Sequence, residues 1–307
     1  MPRPPEPLKP MLAQLGKLPA DDDRWAYEVK WDGYRALAYA TGQGLRLVSR
    51  NGNEVTRRYP ALQGMREALG GHEALLDGEV VAFDDTGRPS FQQLQRGEGH
   101  IAYVAFDILW LDGSERMELP YEERRALLAQ TLPAGSHWQV PAHHAGGGAA
   151  LLAAAREQGL EGILAKRLGS TYEPGKRNGA WVKIKNTARQ ELVIGGWFPG
   201  EGRRTNHIGA LLMGYYDDGE FRLAGKVGTG FGQAELERLA GLLAPLETDA
   251  SPFDGRQPRK GAHFVEPVLV AEIEFTEWTT DGMLRHPSYK GLRDDKRAAD
   301  VVRETPA

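Results

Sequence analysis

The stretch from Ile101 to Leu111 is an almost unbroken apolar run with one charge, Asp107, inside it. A run of that length and make-up reads as a fully buried strand, and such a strand needs a sheet around it. A second strand reads from Leu75 to Phe83, apolar but interrupted by Asp77-Gly78-Glu79. A carboxylate inside an apolar strand is unusual unless it is paired or binds a cation, so Glu79 reads as a site residue and Asp77 as a turn residue.

Between Trp25 and Ser49 two or three short strands read, with Thr41–Gly44 as a turn. Helices read over Pro60–Leu69, from Tyr121, and over Ala149–Glu157. Beyond Arg189 the pattern changes to short strands: Glu191–Phe198, Ile208–Tyr216, Phe221–Val227 and Ala271–Trp278, with one helix over Gln233–Leu246. That combination suits a small OB-type barrel. The expected fold is α+β, with antiparallel sheets and helices over residues 1–187 and the barrel over 188–307. Residues 1–12 are proline-rich and read as an extended arm or a linker cut from a longer polypeptide.

At 307 residues the chain has room for two domains. It has no cysteine, which excludes disulfides and thiolate metal sites. No apolar run reaches the length of a membrane span and the N-terminus lacks a signal-peptide core, so a cytoplasmic protein with no membrane partner is expected. The net charge of -4 does not advertise a nucleic-acid binder. From Lys166 to Arg189, however, seven Lys and Arg stand against one acid, Glu173. That local excess suits a phosphate backbone or a triphosphate.

The chemistry centres on Glu28-Val29-Lys30-Trp31-Asp32-Gly33-Tyr34-Arg35. Val29 and Trp31 suggest a strand leading in, and Asp32-Gly33 is a turn signal. Lys30 thus sits where a strand gives way to a loop. A lysine amine is a nucleophile only when neutral, and burial or nearby cations lower its pKa. Glu79 and Glu161, with Asp32 as a third carboxylate, suit a Mg²⁺ held through oxygen ligands and water. In Trp181-Val-Lys183-Ile-Lys185 the period of two puts both lysines on one face, where they repel unless an anion lies between them. Each of these groups taken singly also reads as a surface residue, and Phe106 taken singly as core.

Lys30-Trp31-Asp32-Gly33-Tyr34-Arg35 resembles the nucleophile motif of covalent nucleotidyltransferases: ATP-dependent DNA ligases, RNA ligases and mRNA-capping enzymes. Ser49-Arg50-Asn51-Gly52, Asp77-Gly78-Glu79, Phe106-Asp107-Ile108-Leu109, Glu161–Lys166 and Trp181–Lys185 follow in that family's order. Asp281–Arg293 resembles the close of the ligase module of the bacterial end-joining ligase D type. The resemblance implies that Lys30 attacks the α-phosphorus of ATP, giving lysyl-AMP, and that AMP then passes to a DNA 5'-phosphate. It implies a cofactor-binding set of Glu28 on the adenine edge, Val29, Arg35 on the ribose or reacting phosphates, Arg50, Glu79, Phe106 as a purine platform, and Lys183 and Lys185 on the α-phosphate. Glu79, Glu161 and Asp32 would hold Mg²⁺, with Mn²⁺ as a substitute, and Arg285 or Lys290 would orient pyrophosphate. Residues Asn186–Gln190 are the expected hinge. The implied partners are nicked or broken double-stranded DNA, bacterial Ku, and polymerase or nuclease modules, for a monomeric chain. No DNA-clamping domain fits before residue 24, so weak grip on DNA alone is expected. The rival readings are an RNA ligase or capping guanylyltransferase, and a non-catalytic nucleic-acid binder.

Overall fold

The computed structural model describes residues 3–186, 188–200 and 207–304. The chain divides into two compact units, Met1–Asn186 and Thr187–Thr305. Thr187, which falls in the expected hinge, lies outside the described residues.

The first unit holds two sheets among its described residues. The larger contains β3 (Tyr34–Thr41), β4 (Gly44–Ser49), β5 (Ala74–Phe83), β6 (His100–Leu111) and β7 (Ser114–Glu115) in the order β4-β3-β5-β6-β7, and β8 (Trp138–Gln139) pairs with β6. The smaller contains β1 (Gln14–Leu15), β2 (Trp25–Val29), β9 (His144–Ala145), β10 (Gly162–Arg167) and β11 (Trp181–Lys185) in the order β1-β11-β10-β2-β9. From Ala102 to Leu111 every residue of β6 is buried, as its apolar run requires. Asp107 is tolerated there because Arg124 of the helix Tyr121–Thr131 forms a two-pronged pair with it, at 2.8 and 3.0 Å.

The expected helix over Pro60–Leu69 is broken into one 3-10 turn, Pro60–Leu62, and a single helical turn, Met65–Ala68. Pro60 and Gly64 deny it a continuous run. Leu62, Met65 and Leu69 nonetheless share one buried face. The N-terminal arm is extended but not a loose linker. Met11 is wholly buried, β1 pairs in parallel with β11, and the Gly16 N–H donates to the Lys183 carbonyl at 3.1 Å.

In the second unit β12 (Ala188–Pro199) pairs with β13 (Ile208–Asp217), β16 (His263–Val265) and β17 (Val270–Phe275). β13 continues to β14 (Glu220–Val227), β16 to β15 (Glu247–Thr248), and β17 to β20 (Ser288–Leu292). β18 (Glu277–Trp278) and β19 (Leu284–Arg285) form a separate two-stranded ribbon. Register shifts in β12 and β13 bend the sheet into the curled form of an OB barrel. The helix of this unit runs over Gln233–Leu243 and passes into a 3-10 turn at Pro245, short of the expected Leu246. No described helix is long and apolar enough to cross a membrane.

Candidate active site

Side chains of the small sheet alternate, so register decides which share a face. Leu164 of β10 stands opposite Glu28 of β2 and Lys183 of β11. One pleat along, Lys166 stands opposite Ala26 and Trp181. One pleat the other way, Gly162 stands opposite Lys185, and its carbonyl accepts the Lys30 N–H at 3.0 Å. One face therefore carries Lys30, Gly162 and Lys185 in a row, then Glu28, Leu164 and Lys183, then Lys166 and Trp181.

The middle of the first row has no side chain. Gly162 has φ 154°, and a Cβ there would run into the Ile184 carbonyl. Gly162→Ala is expected to lose at least about 2 kcal/mol of unfolding free energy in urea titration, because an alanine must either strain its own backbone or push the paired strands apart.

Glu161 closes this row from its end. Its Oε2 is in direct charge contact with the Lys30 ammonium, and its Oε1 lies 3.7 Å from the Lys185 ammonium. The Lys30 side chain is 22% exposed while that of Glu161 is only 4% exposed, so the amine is reachable and the acid is not. Two ammonium groups thus border one carboxylate, and ammonium groups are donors that phosphate oxygens can accept from. Gly33 follows Lys30 closely. A Cβ on Gly33 would strike the Val80 carbonyl and approach Glu79 Cγ at 3.0 Å, so the turn after the lysine lies directly against Glu79.

Other expected site residues are placed differently. Glu28 is 2% exposed and enclosed by charged and polar partners. Its carboxylate takes the Tyr121 hydroxyl, the Lys166 ammonium at 2.8 Å and the Arg125 guanidinium at 3.4 Å. Burial alone would raise its pKa, but those two cations outweigh it and hold the group below the ordinary glutamate value. Phe106 is core rather than an open platform. Its ring is edge-on to Trp181, and the Lys166 ammonium and the Arg35 guanidinium lie 4.4 and 5.3 Å from its centre. Arg35 is committed to Asp77, at 2.9 Å through Nε and 2.5 Å through Nη2. Asp77 is thus a buried counter-ion, not a turn residue. Val29 points its side chain away from the lysine face, into a cavity of about 790 Å³ shared with Trp31, Phe83, Trp138 and Leu160. Arg50 sits in the turn after β4, where Ser49 N–H donates to the Asn53 carbonyl at 2.8 Å.

Among the described residues no three His, Asp or Glu side chains gather into a metal-binding group. The expected trio of Glu79, Glu161 and Asp32 is therefore not one cluster; Glu161 is turned toward two ammonium groups instead. The basic run is also less open than its sequence suggests. Lys166 is wholly buried, Lys176 pairs with Glu173, and Arg189 pairs with Glu274. In the second unit Arg285 pairs with Glu277 and Lys290 with Glu274.

Sequence reasoning missed Lys166, Arg125, Tyr121 and Tyr172 as supports of the site. Only Lys166 left a signal, a lysine on the inward period of an apolar strand. Burial pushes its pKa down, against the pull of Glu28.

Comparison with known proteins defines the class. The ATP dependent DNA ligase domain model matches residues 10–185, and the ATP dependent DNA ligase C terminal region model matches 204–296. The chain belongs to the ATP-dependent DNA ligase family. Within it, the chain is 46% identical over 303 residues to the multifunctional non-homologous end joining protein LigD of Mycobacterium bovis, covering 97% of this chain and 40% of that protein. A DNA ligase of Natronomonas pharaonis is 34% identical over 320 residues, 96% of this chain and 57% of that protein. The chain thus spans about 40% of the LigD relatives' length. A mycobacterial DNA ligase D complexed with ATP and MES superposes with a TM-score of 0.72 at 44% identity, covering 97% of this chain and 98% of that one. The ligase domain of Mycobacterium tuberculosis LigD gives 0.54 at 45% identity, over 97% and 98%.

Proposed function

We propose that this chain seals nicks in double-stranded DNA by way of a lysyl-AMP intermediate, as the ligase component of a non-homologous end-joining system. The observation that carries the reading is the Lys30–Glu161–Lys185 contact beside the side-chain-free position 162. Glu161 is placed to take the proton from Lys30. The neutral Nζ then bonds to the α-phosphorus of ATP as the bond to the bridging oxygen breaks and pyrophosphate leaves. A DNA 5'-phosphate oxygen next displaces Lys30 from that phosphorus. The 3'-hydroxyl finally attacks the 5'-phosphorus, expelling AMP and closing the backbone. Lys183 and Lys185, on one face, neutralise charge on the phosphates, where most of the catalysis of such transfers resides.

Mg²⁺ or Mn²⁺ commonly binds through one or two carboxylates, water and substrate phosphates, and Glu79 and Asp32, flanking the Gly33 turn, offer such a donor set. When bound, the ion would add positive charge at the triphosphate. Ku and attached polymerase or nuclease modules are the partners we assign to it, on the strength of relatives named for end joining.

The test is incubation with labelled ATP or GTP and Mg²⁺, mass spectrometry of the adduct, and then nicked DNA or RNA. AMP on Lys30 and sealed DNA are expected; label from GTP only, or sealing of RNA alone, overturns the reading. End joining with and without Ku tests that partner. Glu161→Gln is expected to slow adenylation by about 10²–10⁴ at neutral pH, read in single-turnover assays, because amide nitrogen and oxygen cannot take the lysine proton.

A further inference from the structure

The N-terminal arm makes contacts that its composition does not announce. The Met11 N–H donates to the Tyr172 hydroxyl at 2.9 Å, and that hydroxyl donates to Asp77 Oδ2 at 2.6 Å. The same Oδ2 accepts Arg35 Nη2 at 2.5 Å. Four groups thus form one unbroken relay from the main chain of the arm to the guanidinium beside the catalytic strand. Its first three members are closed to water, since Met11 and Asp77 are wholly buried and Tyr172 is 2% exposed, while the Arg35 side chain at its end is 17% exposed. Burial, with Asp77 adding to it, keeps the Tyr172 proton on its oxygen.

The arm is held in register on both sides of the relay. The Gly175 N–H donates to the Lys9 carbonyl and the Leu12 N–H to the Lys176 carbonyl, each at 2.9 Å. Beyond it, Leu15 pairs with Lys183 of β11. The arm therefore borders two elements the reaction would use, the strand of Lys183 and the seat of Arg35. A guanidinium with five donors can swing between acceptors; a carboxylate fixed from behind by a phenol leaves it one bidentate seat.

We propose that Tyr172 and the arm around Met11 are positioning elements for the nucleotide reaction, acting through Asp77 on Arg35. This rests on the adenylation reading above. Tyr172→Phe removes only the hydroxyl, leaving the ring against Trp181 and depriving both the Met11 N–H and Asp77 of their partner.

The experiment measures Lys30 adenylation against ATP concentration for the full chain, Tyr172→Phe, Arg35→Ala and the double variant. Tyr172→Phe is expected to raise the half-saturating ATP concentration about tenfold with a smaller change in the rate at saturation. The double variant is expected to be no worse than Arg35→Ala, since both act on one contact. Multiplying effects, or an unchanged half-saturation with only a lower Tm, overturn the proposal. The Arg35 Nε–H resonance of the nucleotide-free protein supplies a readout independent of turnover, and it is expected to shift in Tyr172→Phe and in Asp77→Asn. A resonance that stays put in a folded variant also overturns the proposal. A wild-type chain that takes up no AMP sinks the ligase reading instead, and the resonance still judges the relay.

Discussion

Lys30→Ala is expected to carry no AMP after incubation with ATP and Mg²⁺, with adenylation reduced by at least about 10⁴, because no other nucleophile replaces the one that forms the covalent bond. Neighbouring amines are poor substitutes. Lys185 stands on the far side of Gly162 and shares Glu161, and Lys166 is buried against Glu28. The loss is selective by step. In the last step the reacting atoms are the 3'-hydroxyl oxygen, the 5'-phosphorus and the departing AMP oxygen, and the Lys30 nitrogen is none of them. The variant is therefore expected to seal a nick supplied already adenylated at its 5'-end, at a rate within about tenfold of wild type. Gel assays on the two substrates check both halves. Adduct formation at another lysine in Lys30→Ala, or wild-type sealing of the unadenylated nick, would show that Lys30 is not the nucleophile.

Asp107→Ala is expected to cost about 3–5 kcal/mol of unfolding free energy, the largest stability loss among single changes near the site. Both Asp107 and Arg124 have side chains without solvent exposure, so the substitution strands a guanidinium that water cannot reach. Arg124 keeps two main-chain acceptors, Leu119 and Ser170, at 2.6 and 2.9 Å. Those carbonyls hold the guanidinium in place without neutralising it. Asp107→Asn retains the shape and one acceptor and is expected to lose less. Urea titration of the three proteins gives the comparison. An Asp107→Ala loss below about 1 kcal/mol would mean that the cavity admits water or that Arg124 finds another acid.

Much of this was legible because it depends on local alternation. The buried character of β6, the shared face of Lys183 and Lys185, and the strand-to-turn position of Lys30 follow from periods of two and from Asp32-Gly33. The surroundings of Glu28 were not legible. Its partners Tyr121, Arg125 and Lys166 come from segments far along the chain, and nothing local marks an acid as enclosed rather than open to ligand. The same distance hid the role of Asp77, since Tyr172 lies 95 positions away. The seating of the extended arm was not legible for a different reason: prolines announce an extended segment, but nothing local shows that Met11 is buried and that Gln14–Leu15 pair as a strand just after it.

The way β12 is paired has a bearing on how the second unit comes apart. β12 meets β13 over Val193–Pro199 along one edge, and β17 over Ala188–Val193 and β16 over Gly196–Trp197 along the other. Around Val193 and Gly196–Trp197 the ribbon has a partner on both edges, and β13 and β17 are themselves anchored to β14 and β20, so this middle part cannot peel off alone. Solvent deuterium thus reaches the centre of β12 only when the whole sheet opens at once, so its slowest exchange rate reports the global stability of that unit rather than a local flicker.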